Sequence, residues 1–126
     1  MKRLILLQLI VTGLAGLAAV AGLVPAAFSA QNAQSVQTIR VTETSYRIKL
    51  SAVPRAGATR FVIRNASDDG HDFWVRGGGK TYKSRVLGEG SSAALGATLR
   101  KGVRYAYWCG VGSHRSKGMS GSFVAR

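Results

Sequence analysis

The chain is poor in three things: it holds one cysteine, two histidines and five acidic residues among 126. A lone Cys excludes an internal disulfide, so no covalent staple holds the fold. Two histidines exclude any centre that needs a crowd of imidazoles. Five carboxylates against 18 Lys and Arg leave a formal charge of +13, a field that seeks acidic partners, either a protein or an anionic membrane surface. Nucleic acid is excluded as a partner because the basic residues are dispersed through apparent strands, with no recognition motif beside them.

What is present fits one folded domain. Hydrophobic residues make up 46% and charged residues 18%, the composition of a chain that can bury a core. Lys2 and Arg3 precede an apolar run, Leu4 to Val24, and Pro25 to Ala30 supplies the small residues of a processing site. Residues 1–30 are therefore expected to be a signal peptide, or a retained membrane anchor, since the run has 21 residues and a spanning helix needs roughly 20. Residues 31–35 form a polar lead-in and 36–126 the exported domain, expected in the periplasm as a monomer. Without Lys2 and Arg3 that part keeps 16 basic and 5 acidic residues, a charge of +11. In an oxidising compartment an unpaired thiol is a liability unless buried or ligated.

Alternation predicts strands over most of the domain. Val36 to Glu43 puts Ile39, Val41 and Glu43 on one face, and Ser45 to Leu50 alternates again. In Thr59 to Asn65, Phe61 and Ile63 oppose Arg60 and Arg64. Asn65 to Gly70 is a polar loop delivering His71, and Gly77-Gly-Gly79 is a turn before a basic edge from Lys80 to Arg85. Ser91 to Leu99 stays open between a helical turn and a strand, because its Ala residues permit the first and Gly96 weakens both. Val103 to Cys109 carries Val103, Tyr105, Tyr107 and Cys109 on one face, so the thiol ends an aromatic, inward-facing strand. Gly121 to Arg126 closes the chain. Many short strands with little helix after residue 30 predict an all-β sandwich or barrel.

Cys109-Gly-Val-Gly-Ser-His114-Arg-Ser-Lys-Gly-Met119 spaces a thiol, an imidazole and a thioether five residues apart. Two His and one Cys with a weak, distant Met make an electron-transfer copper centre, because soft sulfur and imidazole together suit both copper oxidation states. With Gly-His71-Asp-Phe-Trp-Val and Tyr-Ala-Tyr-Trp-Cys109, this segment resembles the small blue-copper proteins, or cupredoxins, over residues 36 to 126. The resemblance implies a Greek-key antiparallel β-sandwich of about eight strands with one copper ion near one end. It implies His71, Cys109, His114 and Met119 as ligands, one-electron transfer as the role, and His114 as the exit for the electron. Asp72 is then expected to hydrogen-bond the Cys109 loop. The chain departs from many members in having Gly112-Ser113 where they have Pro-Gly before the second His, which leaves the loop looser and the potential open.

Other readings are weaker. Zinc would lack a fourth strong ligand. A Cys-His nucleophile needs an accessible, electropositive thiol, so no enzyme is expected. Copper oxidases need further histidines, and both are already used. Gly77 to Thr81 lacks the first Gly and the following helix of a phosphate loop, and Asn65-Ala-Ser67 matches a glycosylation acceptor by pattern alone. The expected partners are an acidic cytochrome or oxidase, with Arg115 and Lys117 flanking the exit. The competing function is copper delivery without a redox role.

Overall fold

The computed structural model describes residues 35–126, so the expected signal or anchor helix of residues 1–30 lies outside the described residues, as does most of the lead-in. Among the described residues no helix is long and apolar enough to cross a membrane. Eight strands among the described residues form two four-stranded sheets. They are β1 (Gln37–Thr44), β2 (Arg47–Leu50), β3 (Gly57–Asn65), β4 (Trp74–Gly77), β5 (Lys80–Lys83), β6 (Ser92–Leu99), β7 (Arg104–Trp108) and β8 (Ser120–Val124). The first sheet runs β2-β1-β3-β6 and the second β5-β4-β7-β8.

One pair departs from the purely antiparallel expectation: β1 and β3 run parallel, with Ile39 opposite Phe61 and Val41 opposite Ile63. The reason is the route of the chain. After the hairpin from β1 to β2, residues 51–56 recross the end of the sandwich around buried Pro54, and Ala56 donates to the Arg126 carbonyl. β3 therefore enters on the free side of β1 and in its direction.

The open segment before Leu99 is a strand. β6 pairs with β3 along its length, and its partly or fully buried residues, Ala93, Leu95, Ala97 and Leu99, recur with period two. Pairing with a neighbour outweighs the helical preference of Ala, since strand preference depends on the surface met.

Between the sheets Ile39, Val41, Phe61, Ile63, Phe73, Val75, Leu99, Tyr105 and Phe123 make one core. Phe61 from the first sheet meets Phe73, just before β4, at a centroid distance of 5.4 Å, and Tyr105 stacks on Phe123 at 5.5 Å. Such ring pairs add to the burial of apolar area. Phe61→Ala should cost about 3–5 kcal/mol, read as a lower urea midpoint with an unchanged slope.

Candidate metal centre

Two loops at one end of the sandwich carry the chemistry. The first, residues 66–73, leaves β3 and is shaped by Asn65. The Asn65 side chain donates to the carbonyls of Asp69 at 2.6 Å and Leu87 at 2.9 Å, and its oxygen accepts from the Ser67 amide at 2.9 Å. Asn65 is fully buried, which leaves no room for a glycan and makes it the organiser of the loop. His71 then bridges to Leu87 through both backbone groups.

The second loop leaves β7 at Cys109 and returns at Met119. The Cys109 amide donates to the Met119 carbonyl at 3.0 Å, and the Met119 amide to the His114 carbonyl at 3.1 Å. Between them the His114 amide bonds Val111 and the Lys117 amide bonds Ser113 and His114. The expected looseness from Gly112-Ser113 is thus met by backbone bonding within the loop. Gly118 has φ 122° and passes close to the Tyr46 carbonyl, a conformation and a space that suit only glycine.

These loops bring His71, Cys109 and His114 together. Their donor atoms lie within 4.8 Å of one another. The two Nδ1 atoms are 3.1 Å apart, and Cys109 Sγ is 3.7 Å from that of His71 and 3.8 Å from that of His114. The point equidistant from all three is about 2.1 Å from each, against the roughly 2.0–2.3 Å that a borderline divalent ion such as zinc keeps from imidazole and thiolate. Three electron-rich atoms facing one point repel unless a proton or cation lies among them, so the geometry fits a metal. Met119 is fully buried at the end of the same loop. A donor set of two imidazoles, a thiolate and a thioether fits one copper ion of the type 1 kind.

The surroundings hold the donors in place. Ser67 Oγ lies 2.7 Å from His71 Nε2, so the tautomer that carries its proton on Nε2 donates to Ser67 and leaves Nδ1 free for a metal. Asp72 does what the sequence leads one to expect: its carboxylate accepts from the Gly110 amide at 2.6 Å and also from Trp74 Nε1 at 2.9 Å. Gly110 must be glycine, because a Cβ there would sit 2.6 Å from Trp74 Nε1. Trp74 stacks on Trp108 at 5.7 Å, and Arg115 lies over the Trp108 ring at 4.4 Å.

Ser67, Tyr46 and Glu43 escaped the sequence reading as parts of this site. Tyr46, at φ 59° in the β1–β2 turn, sets its ring against His114 at 5.4 Å and lies under the Lys117 ammonium. Its strained backbone was the available signal only in three dimensions. Ser67 stands four residues before His71, a spacing that could have suggested it.

Burial sets the proton affinities. Burial pushes the Cys109 thiol up, while hydrogen bonds from the Asp72 and Val111 amides favour the thiolate and the charges of Asp72 and Glu43 oppose it. Without a cation the thiol keeps its proton and is a poor nucleophile. Burial and the neighbouring His114 push His71 down, against Asp69 and Asp72, so it stays neutral, the form that ligates.

Among solved structures the chain resembles three auracyanins. The dithionite-reduced auracyanin of the photosynthetic bacterium Roseiflexus castenholzii is 16% identical with a TM-score of 0.62, over 73% of this chain and 98% of that one. Auracyanin A, described as a "blue" copper protein from Chloroflexus aurantiacus, is 16% identical with a TM-score of 0.62, over 73% and 100%. The fold is that of the cupredoxins. Auracyanin B agrees, at 15% identity and a TM-score of 0.61 over 71% and 88%. No family model and no curated protein matches the chain. At these identities the likeness is one of fold, and in this cupredoxin fold the donor triangle lies between the β3–β4 and β7–β8 connections.

Glu43 is the odd member of the neighbourhood. It faces inward from β1, is fully buried, and neither oxygen has a hydrogen-bond partner among the described residues. Burial, with the Asp72 charge adding to it, pushes its carboxyl up to about 7 from 4.5. A raised carboxyl binds its proton more tightly folded than unfolded, so its stabilisation is complete below pH 4.5 and lost as pH rises through about 7. Glu43→Gln should remove this part of the pH dependence and make the metal-free protein about 1–3 kcal/mol more stable at pH 8, as the difference between urea titrations of the two proteins. Equal pH profiles would show that Glu43 is charged in the fold.

Proposed function

We propose that the protein is an electron carrier of the blue-copper kind, shuttling one electron between larger redox proteins outside the cytoplasm. The observation that carries this reading is the triangle of His71 Nδ1, Cys109 Sγ and His114 Nδ1, closed to 3.1–3.8 Å. These three would hold the ion, with Met119 as the weak axial partner. Copper bound there supplies a Cu(I)/Cu(II) couple that changes state with little rearrangement. The protein's part is rigidity: Ser67 fixes the His71 ring, Asp72 fixes the start of the Cys109 loop, and the bonded loop fixes His114.

His114 is the half-exposed member of the triangle, whereas His71 and Cys109 are fully buried. It is therefore the port through which an electron would leave. Tyr46, Arg115 and Lys117 frame it, and the two cations would dock an acidic partner such as a cytochrome or oxidase. Full burial of His71 and Cys109 favours a retained ion over copper delivery. The apolar run of residues 4–24 supports export to the periplasm.

Cu(II) added to the reduced protein should give an intense visible charge-transfer band with stoichiometric copper. Cys109→Ser should abolish the band, and Met119→Leu should keep it while shifting the reduction potential. A colourless cupric complex of the parent would end the assignment. Electron exchange with an acidic cytochrome should slow as salt rises, and Arg115→Glu with Lys117→Glu should slow it roughly 10- to 100-fold at low salt. Loss of copper to a copper-free acceptor during redox cycling would point to delivery instead.

A further inference from the structure

The cations of the two sheets are used differently. On the outer face of the second sheet, Lys83 lies over the Trp74 ring, Arg115 over Trp108, and Arg104 donates to Ser122 Oγ, which leaves Arg76 as the one cation of that face without such a contact among the described residues. On the outer face of the first, Arg40, Arg47, Lys49, Arg60 and Arg64 are all exposed. Among the described residues none of these five side chains makes a hydrogen bond, an ion pair or a ring contact of the kind that occupies Lys83, Arg104 and Arg115. The register spreads them evenly. Arg60 stands opposite Thr38 and Gly96, Arg64 opposite Thr42 and Ser92, Lys49 opposite Thr42, and Arg47 opposite Thr44. With a strand rise of about 3.3 Å and a spacing of about 4.8 Å, the five occupy a field of roughly 20 by 10 Å.

We propose that this face of β2-β1-β3-β6 lies against anionic lipid headgroups. The exposed carboxylates, Asp68, Asp69 and Glu89, sit off the sheet in two loops tied together by Asn65. No outward position of the four strands is aromatic; the cations are separated by Thr, Ser, Ala, Gly and Val62. A protein interface draws its affinity from buried aromatic anchors, and this face offers none. A flat field of unengaged cations suits a diffuse plane of negative charge, which attracts each basic residue held near it. An open hollow of about 580 Å³ between Arg60 and Lys80, lined by Ala94, Gly96 and Thr98 and, from the edge of the second sheet, by Tyr82, gives a headgroup room to enter.

The proposal stands apart from the copper reading, since no residue of this face belongs to the donor triangle. The test uses the full chain in nanodiscs of phosphatidylcholine, with and without phosphatidylglycerol, and follows the rate at which an arginine-selective reagent labels each site. With the anionic lipid, Arg40, Arg60 and Arg64 should label roughly tenfold more slowly and recover in high salt, while Arg76 and Arg104 of the other sheet keep their rates. Arg60→Gln with Arg64→Gln should restore labelling of Arg40, and an unchanged circular dichroism spectrum would report an intact fold. Equal protection of both sheets, no protection, or protection that appears only with an acidic protein would overturn it.

Discussion

The carboxylate of Asp72 joins the two loops on which the site depends. One oxygen holds the Gly110 amide, next to the thiol, and the other holds the Trp74 indole at the start of β4. His71 precedes this carboxylate in the chain and Cys109 precedes Gly110, so a single side chain sets the distance between a candidate ligand of one connection and a candidate ligand of the other. The sandwich core lies below both loops, and its ring contacts fix the strand ends from which they spring. A displaced strand would move one corner of the triangle, and at metal-ligand distances a shift of a few tenths of an ångström matters.

The same neighbourhood holds two carboxylates with opposite treatment. Asp72 is buried with partners for both oxygens, whereas Glu43 is buried with none. Burying an unpartnered charge is costly, and the group responds by keeping its proton near neutrality. The protein therefore carries a source of instability on the inner face of β1, close enough to Asp72 and Cys109 to raise the proton affinity of the thiol. A bound cation nearby would relieve the strain between these negative groups, so metal loading and folding support each other.

Much of this was legible in the chain because period-two alternation survives wherever one face is buried. Phe61 and Ile63 against Arg60 and Arg64 gave β3 with its correct inward face, and the Tyr105-Tyr107-Cys109 series put the thiol just past the end of β7. The candidate donors His71, Cys109 and His114, which the fold brings together, stood out because soft ligands are so few. Ser91 to Leu99 was ambiguous since Ala and Gly carry little preference, and only the neighbouring β3 decides it. The parallel β1–β3 pair was hidden because alternation records burial, not direction. Ser67, Tyr46 and Glu43 were hidden for a related reason: their roles come from what stands opposite them across the fold, and local pattern does not encode that.

The segment from Cys109 to Met119 closes on itself, with its ends bonded to each other and its amides to its own carbonyls. The strands need only present the two ends at the right separation. Segment and scaffold are thus separable inheritances: a shorter or longer insert pinned at the same ends could move His114 while Phe61 and Phe73 kept their packing. Change in the geometry of the donors can in this way run ahead of change in the fold.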